Sequence, residues 1–244
     1  MTRPETVPCP ICAGPVRLYD VVDFNKSCVD LTARRSGLSG TPIYYHQCTH
    51  CHFIFAPECY AWTKKEFAEK IYNADYVLFD PEFVSERPLI NANLVEKMFG
   101  NQKSAINHLD FGGGAGILSN TLKAYGWHSS SYDPYYEGQV LPKDHEIDLI
   151  TAFEVFGHSN TIHELCKKLS ELLKPKGAIL FSTLISDGKV SEAERLSWWY
   201  AAPRNGHISL FSKKSLEILA KTYEFNFISY NDNIHCFYRG GIES

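Results

Sequence analysis

The segment Asn107-His108-Leu109-Asp110-Phe111-Gly112-Gly113-Gly114-Ala115-Gly116 decides the fold of this 244-residue chain. Residues 105–111 form a short run rich in apolar residues, which predicts a buried strand. The glycine-rich turn follows at once, and apolar residues then recur at helical spacing as far as Gly126. A strand, a glycine-rich turn and a helix in this order predict an α/β fold with a Rossmann-like sheet, whose glycines let the backbone approach a ligand closely.

An acidic residue follows the next predicted strand. That strand is short, about Ser129 to Tyr132, and it leads directly into Asp133. A carboxylate at this position accepts hydrogen bonds from a ribose diol in nucleotide-binding sheets. The NAD fingerprint requires glycines at its first, third and sixth positions, whereas the sixth position here is Ile117. The residues predict a nucleoside-containing cofactor, and an NAD-dependent oxidoreductase stays open as one alternative.

The combination Asp110-Phe111-Gly112-x-Gly114-x-Gly116 resembles motif I of the class I S-adenosylmethionine-dependent methyltransferases. The resemblance extends over roughly residues 91–239, and it includes Ile147 to His158 as the fourth strand with its following segment, and Leu173-Lys174-Pro175-Lys176-Gly177 as the turn into the fifth. It implies a seven-stranded sheet with helices on both faces and an antiparallel last strand. Residues 225–230 and 235–239 are expected to form the closing hairpin, and the third strand is expected to be abbreviated near residues 144–146.

The resemblance also implies the cofactor and the reaction, which are S-adenosylmethionine and the transfer of its methyl group. The expected cofactor site comprises the residues of motif I, the end of the second strand and the end of the fourth: Asp110, Phe111, Gly112, Gly113, Gly114, Gly116, Asp133, Pro134, Phe153 and Glu154. A carboxylate near the sulfonium is electrostatically reasonable, because the donor is cationic there.

Two Cys-x-x-Cys pairs lie near the start of the chain. They are Cys9-Pro10-Ile11-Cys12 and Cys48-Thr49-His50-Cys51. Two residues between cysteines allow a tight turn that directs both sulfurs to one ion, and two such turns complete a tetrahedral site. The pattern predicts a zinc-ribbon-like module with Zn²⁺ bound by Cys9, Cys12, Cys48 and Cys51, separated by strand-like runs at residues 16–24 and 42–47. Four cysteine ligands leave no open position, so the predicted zinc is structural.

Other interpretations of these cysteines stay open. The four thiols are alternatively unconnected, or one pair is a redox motif. His46, His50 and His52 are close enough in sequence to replace one cysteine ligand, although loop residues exposed to solvent are the expectation. Cys28 and Cys59 have no paired spacing and are interpreted as ordinary small side chains.

Three consecutive domains are predicted: a zinc-binding module at 1–60, a helical connector and cofactor lid at 61–100, and the methyltransferase domain at 101–244. Thr63-Lys64-Lys65-Glu66 is a capping box that predicts the start of a helix. A second helix, about Leu89 to Phe99, is expected to end with Gly100 as its C′ residue. The connector also contains aromatic residues that are candidates for covering the cofactor or for core packing: Tyr72, Tyr76 and Phe79.

The segment Trp198 to Ser209 is dense in aromatic and polar residues, which suits a pocket for a small molecule. His207 and His158 are candidate general bases, because imidazole titrates near neutral pH. Tyr200 is a further candidate for orienting or deprotonating a hydroxyl group. For each of these residues, a structural hydrogen bond is the alternative interpretation.

The composition limits the classes of ligand and the cellular location that are expected for this protein. The formal net charge is −4 and basic residues are scattered, which argues against a nucleic-acid ligand, since phosphate neutralisation supplies most of that affinity. No run approaches the roughly 20 apolar residues that span a bilayer. The first residues contain no apolar signal segment, so a cytoplasmic location is expected. The sequence gives no indication of the oligomeric state.

A zinc module joined to this type of domain resembles bacterial methyltransferases that act on sugars or other small metabolites. The predicted function is methyl transfer from S-adenosylmethionine to a small molecule, with the acceptor atom open. Two alternatives remain: an RNA methyltransferase whose zinc ribbon grips RNA, which would require a basic face, and a non-catalytic scaffold that binds the cofactor.

Overall fold

The computed structural model describes residues 7–29 and 37–240. The strands are β1 (Val16–Asp23), β2 (Pro42–Cys48), β3 (Ile54–Phe55), β4 (Asn107–Phe111), β5 (His128–Tyr132), β6 (Ile147–Phe153), β7 (Leu173–Ser182), β8 (Ser209–Leu210), β9 (Asn226–Ser229) and β10 (Ile234–Tyr238). The α-helices are α1 (Pro57–Tyr60), α2 (Lys64–Lys70), α3 (Tyr76–Phe79), α4 (Glu86–Phe99), α5 (Ile117–Ala124), α6 (Ile162–Leu172) and α7 (Lys213–Thr222). Among these described helices, none is long and apolar enough to cross a bilayer.

The chain divides into two compact units that interleave along the sequence. The first unit comprises Met1–Asp80, Gly157–His163 and Leu184–Leu219, and the second comprises Pro81–Phe156, Glu164–Thr183 and Ala220–Ser244. The residues around Trp198 to Ser209 thus group with the cysteine-rich segment. This division differs from the consecutive ranges that the sequence suggests, because residues distant in sequence pair in one sheet.

The first unit contains an antiparallel sheet in the order β1-β2-β3-β8. Val16 of β1 lies opposite Cys48 of β2, so the expected strand pair between the Cys-x-x-Cys motifs is present. β8 joins the edge through the pairs Ile54–Leu210 and Phe55–Ser209. The capping box also forms as predicted, since the Thr63 hydroxyl accepts from the Glu66 backbone and the Glu66 carboxylate accepts from Thr63.

The second unit contains a sheet in the order β5-β4-β6-β7-β10-β9. The strands β5, β4, β6 and β7 are parallel, and β10 is antiparallel to both β7 and β9. The predicted closing hairpin is confirmed. The predicted count of seven strands is wrong, because this sheet has six strands within residues 37–240. The third strand is missing between β5 and β6, where Pro134, Gly138 and Pro142 interrupt any extended run.

Two local predictions differ from the structure. Gly100 follows α4 but keeps a right-handed conformation with φ of −57°, and a 3₁₀ turn continues to Ala105. The segment from Leu173 to Gly177 lies within β7 and is not a separate turn. β6 advances from Ile147 to Leu149 while its partner advances from Leu173 to Ala178, so β7 accommodates the extra residues as a bulge.

Helices α4 and α5 cover part of the second sheet. The buried core there comprises Ala92, Val95, Leu118, Leu122, Trp127, Leu149, Leu180 and Cys236. The Trp127 indole, itself buried, donates a 2.6 Å hydrogen bond to the Glu96 carboxylate. This packing fixes the helix that follows the glycine-rich turn, and therefore fixes the turn itself.

Candidate active site

The glycine-rich turn and Asp133 follow the carboxyl ends of two neighbouring strands of the second sheet, β4 and β5. β4 and β5 are parallel and in register, with Phe111 opposite Tyr132, so the residues after each strand are adjacent. The Gly112 N–H donates to the Tyr132 carbonyl at 2.7 Å, and the Gly114 N–H donates to Asp133 Oδ2 at 3.0 Å. The strand register therefore places the carboxylate against the loop, as its interval in the sequence predicts.

Close approach explains the glycine at position 113. A Cβ on Gly113 would lie 2.2 Å from Asp110 Oδ2 and 2.5 Å from Ser131 Oγ, distances that no side chain tolerates. Gly114 has a φ of +53°, a left-handed conformation that favours glycine. The backbone at this turn is thus held directly against the Asp110 carboxyl group.

Asp110 is buried and forms part of a polar network beneath the loop. Its Oδ1 accepts a 2.7 Å hydrogen bond from the Thr151 hydroxyl, and Thr151 Oγ1 lies 3.1 Å from His108 Nε2. Burial raises the pKa of Asp110 to about 7, the negative charge of Asp133 adds to this rise, and the hydrogen bond from Thr151 opposes it. Without a bound cation, the carboxyl group therefore keeps its proton to a higher pH than an exposed aspartic acid does.

His108 supports this network as a neutral residue. Burial lowers its pKa to about 3. His108 Nε2 lies 3.1 Å from Thr151 Oγ1, and the Thr151 hydroxyl donates to Asp110. His108 Nδ1 lies 2.7 Å from Ser129 Oγ, whose hydroxyl donates to Ser119 Oγ at 2.9 Å. His108 was not identified from the sequence, where it resembles any polar residue in a strand.

The raised pKa of Asp110 predicts the pH dependence of stability without ligand. The unfolded carboxyl group ionises near pH 4 while the folded one keeps its proton to about pH 7. The stabilisation is thus complete below pH 4 and is lost as the pH rises through about 7. In Asp110→Asn, we expect the change in the free energy of unfolding between pH 5 and pH 8 to be smaller by roughly 2 to 3 kcal/mol. Urea titrations of both proteins at these pH values measure it, and identical pH profiles would contradict the buried carboxyl group.

Four residues that the sequence analysis does not identify border the glycine loop. A Cβ on Gly114 would lie 3.3 Å from Phe83 Cζ, and a Cβ on Gly112 would lie 2.5 Å from Val155 Cγ2. The Gln139 amide donates to the Gly114 carbonyl at 2.8 Å. Ser131 Oγ and Gln139 Oε1 are buried and have no hydrogen-bond partner among the described residues. The predicted lid at 61–100 contained Phe83, but no spacing in the sequence distinguished it from its aromatic neighbours.

The remaining predicted cofactor residues lie at the same end of the sheet. The Glu154 backbone N–H donates to Ser182 Oγ at 2.8 Å, and its carboxylate accepts from that hydroxyl at 2.7 Å. Phe153 packs on the hydrophobic core, and Pro134 is exposed directly after Asp133. Phe111 contacts Tyr132 with ring centroids 5.5 Å apart.

The first unit brings the candidate bases together. The imidazole centroids of His158 and His207 are 4.9 Å apart, and His158 Nδ1 lies 2.8 Å from the Tyr72 hydroxyl. His207 Nδ1 lies 2.8 Å from the Tyr200 carbonyl, which accepts and never donates. The Nδ1 atom of His207 therefore carries a proton, and the basic nitrogen of the neutral ring is Nε2. Tyr200 thus contacts His207 twice, through its backbone carbonyl and through its ring, whose centroid lies 3.9 Å from that of the imidazole.

Buried neighbours fix the loop that carries His207. The fully buried Tyr45 of β2 donates its hydroxyl to the His207 carbonyl at 2.7 Å. Gly206 has a φ of +91°, and a Cβ there would lie 3.4 Å from His158 Nδ1. Cys28 Sγ lies 3.7 Å from His207 Nδ1, so this cysteine, which the sequence analysis interprets as an ordinary small side chain, borders the imidazole of His207.

The four predicted cysteine ligands form one cluster. Their sulfur atoms all lie within 4.8 Å of one another, with 3.6 Å between Cys9 and Cys51 and 3.5 Å between Cys12 and Cys48. Sulfur ligands at about 2.3 Å around a tetrahedral zinc are about 3.8 Å apart, so the spacing fits this metal. His50 and His52 are exposed.

The two cysteine turns share one backbone design. Ala13 donates to the Cys9 carbonyl at 2.9 Å with a φ of +55°, and His52 donates to the Cys48 carbonyl at 3.0 Å with a φ of +61°. Backbone N–H groups of Ile11 and His50 also donate to the first sulfur of each pair at 3.4 Å. Such donors stabilise thiolates, which are the form that binds metal.

Comparisons with known proteins show the family and the fold of the chain. A family model described as a methyltransferase domain matches residues 67–230, which is more than half of the chain. The chain therefore belongs to this family of methyltransferases and is an S-adenosylmethionine-dependent enzyme with the class I α/β fold. No curated protein sequence matches it significantly.

Two solved structures are similar to this chain at low sequence identity. The 1,6-didemethyltoxoflavin-N1-methyltransferase of Burkholderia thailandensis, with bound 1,6-didemethyltoxoflavin and S-adenosylhomocysteine, is 14% identical with a TM-score of 0.52, and the match covers 85% of this chain and 99% of that one. The magnesium protoporphyrin IX methyltransferase of Synechocystis, with bound S-adenosylhomocysteine, is 14% identical with a TM-score of 0.44, covering 62% and 83%. The likeness to the first of these structures concerns the fold alone.

Proposed function

We propose that this enzyme transfers a methyl group from S-adenosylmethionine, bound at the glycine loop, to a small-molecule acceptor. The observation that carries the cofactor assignment is the charge of the loop. Asp110 and Asp133 both border it, and neither forms an ion pair with a described residue. A bound cation favours the ionised form of Asp110, so the two carboxyl groups suit the cationic groups of the methyl donor, whereas a pyrophosphate beside Asp133 would be repelled and NAD is disfavoured.

The hydrogen-bonding groups of the loop fit the same cofactor. Asp133 follows β5, where its carboxylate would accept from the ribose hydroxyls while it holds the Gly114 N–H. Ser131 Oγ and Gln139 Oε1 are buried polar atoms that offer further hydrogen bonds. Phe111, Gly112, Gly113, Gly116, Pro134, Phe153 and Glu154 complete the proposed cofactor site. When bound, S-adenosylmethionine supplies an electrophilic methyl group.

The chain's own residues would position the acceptor and remove its proton. In the neutral His207 ring, Nε2 is the basic nitrogen, because Nδ1–H donates to Tyr200. We assign His207 as the general base, with His158 beside it as the second imidazole and the Tyr200 backbone as the group that fixes the tautomer.

A small molecule is the acceptor class that the composition favours. The net charge of −4 argues against a polyanion. The test is incubation of the enzyme with labelled S-adenosylmethionine and either a metabolite extract or total RNA, followed by mass spectrometry. Label in a metabolite supports the proposal. Label in RNA, or in neither fraction, would contradict it.

His207→Asn tests the base. The asparagine amide replaces the Nδ1–H donor to Tyr200, but it cannot accept a proton. We expect kcat for the identified acceptor to fall by about 10²–10⁴, while the affinity for S-adenosylhomocysteine is unchanged. The acidic limb of the pH–rate profile should also vanish. An unchanged kcat and pH profile would remove His207 from this role, and His163→Asn provides a control at a helix start outside the histidine pair.

The four cysteines are proposed to bind one structural zinc ion. Their spacing fits tetrahedral sulfur coordination, and the four thiolates leave no position for a substrate. Zinc would therefore stabilise the first unit and take no part in methyl transfer.

A further inference from the structure

Arg204 is a buried cation that forms no ion pair with the residues that the structure describes. Arg204 is 5% exposed, and no carboxylate of the described residues lies within ion-pair distance of its guanidinium group. Buried charges are costly unless they are paired, so an anion that reached the guanidinium group would offset this cost.

The neighbours of the guanidinium group are neutral. Nη1 donates to the Ile71 carbonyl at 3.3 Å, Nη2 donates to Asn73 Oδ1 at 3.2 Å, and the group stacks 4.0 Å from the centre of the Phe79 ring. Burial lowers the pKa of Arg204, while the exposed Asp75 acts against this at longer range. Arginine stays charged in proteins, and its fork carries five N–H donors, more than these two acceptors use.

The same loop holds Arg204 and His207 in fixed positions. The 3₁₀ turn Pro203–Asn205 carries Arg204, and the neighbouring Asn205 donates to the Phe79 carbonyl at 2.9 Å and accepts from the Cys28 N–H at 2.9 Å. His207 follows after Gly206, whose left-handed conformation directs the chain. A ligand that pairs with Arg204 is therefore held by the loop that carries the proposed base.

We infer that Arg204 binds a carboxylate group of the acceptor, so that the substrate is a carboxylic acid. This inference rests on the proposed function and specifies its substrate class. The guanidinium fork matches a carboxylate with two parallel hydrogen bonds. A phosphate dianion fits less well, because Arg204 is the one cation among these groups and the Ile71 and Asn73 oxygens repel additional negative charge.

The direct test observes the arginine itself. Arginine side-chain N–H signals are recorded by NMR with S-adenosylhomocysteine bound, and the Arg204 signal is the one that disappears in Arg204→Lys. At constant ionic strength, acetate should shift this signal in a saturable manner, whereas acetamide should not. No shift with acetate, an equal shift with acetamide, or tighter binding of inorganic phosphate would each overturn the carboxylate assignment.

Kinetics with the acceptor from the metabolite screen give a second readout. Arg204→Gln should raise KM for the acceptor by roughly 30-fold or more with a much smaller change in kcat, and leave the affinity for S-adenosylhomocysteine intact. The KM of Arg204→Lys for the acceptor should lie between those of the wild-type protein and Arg204→Gln. Arg195→Gln is the matched control, since Arg195 lies on the same segment but is ion-paired with Glu192 at 4.0 Å. An acceptor without a carboxylate, or an unchanged KM in both Arg204 variants, would overturn the inference. If the wild-type protein does not bind S-adenosylhomocysteine, that result would instead refute the proposed function.

Discussion

Asp133→Ala is expected to weaken the binding of S-adenosylhomocysteine by about 10²–10⁴, the largest effect of any single change at the cofactor site. The side chain has two functions at once. It would accept the ribose hydroxyls, and it already accepts the N–H groups of Gly114 at 3.0 Å and Tyr135 at 2.8 Å. Each charge-assisted hydrogen bond contributes roughly 1.5–3 kcal/mol, which gives this range when two are lost.

Calorimetric titration of the wild-type and variant proteins measures this effect. Asp133→Asn keeps one acceptor for the Gly114 N–H and should bind with intermediate affinity. Asp144→Ala is the control, because Asp144 is an exposed carboxylate paired with Lys168 at 3.1 Å. Binding by Asp133→Ala at wild-type affinity would exclude a ribose contact by this residue.

Cys48→Ser is expected to abolish zinc binding and the stable structure of the first unit. Structural zinc contributes on the order of 10 kcal/mol, which is comparable with the whole stability of a domain. Cys48 ends β2, and the Tyr45 hydroxyl of that strand holds the His207 carbonyl. The Ser212 hydroxyl also donates to the Cys51 carbonyl. Loss of the metal should therefore release residues 184–219 together with the cysteine turns.

Elemental analysis and limited proteolysis test this prediction. The wild-type protein should contain about one zinc per chain and resist cleavage within 184–219, whereas Cys48→Ser should contain none and be cleaved there. Cys166→Ala removes a buried thiol of the other unit and should retain the zinc. Because the proposed cofactor residues lie in the second unit, Cys48→Ser should still bind S-adenosylhomocysteine. A zinc-free wild-type protein that resists cleavage would refute the structural metal.

Features with local spacing were predictable from the sequence. The glycine turn, Asp133 and the two Cys-x-x-Cys pairs depend on intervals of a few residues or on one strand–helix unit, and the structure brings each set together. The closing hairpin was also predictable, because both of its strands are rich in aromatic and β-branched residues. Tight turns permit few backbone conformations, so their sequences are restrictive.

Features that depend on distant residues were not predictable. The grouping of 184–219 with the cysteine-rich segment results from the pairing of β3 with β8, two strands of two residues each. Phe83 borders Gly114 from a connector with several aromatic residues, and the burial of Arg204 depends on residues 71–79. The missing third strand was expected to be short, but whether a short strand pairs depends on the whole sheet edge.

The central claim is that the glycine loop binds a cationic adenosyl methyl donor. Its most direct test is calorimetry of the purified wild-type protein with S-adenosylhomocysteine and with NAD under the same conditions. We predict one S-adenosylhomocysteine bound per chain and no binding of NAD. No heat of binding with S-adenosylhomocysteine at millimolar concentration, or saturable binding of NAD at this site, would contradict the account.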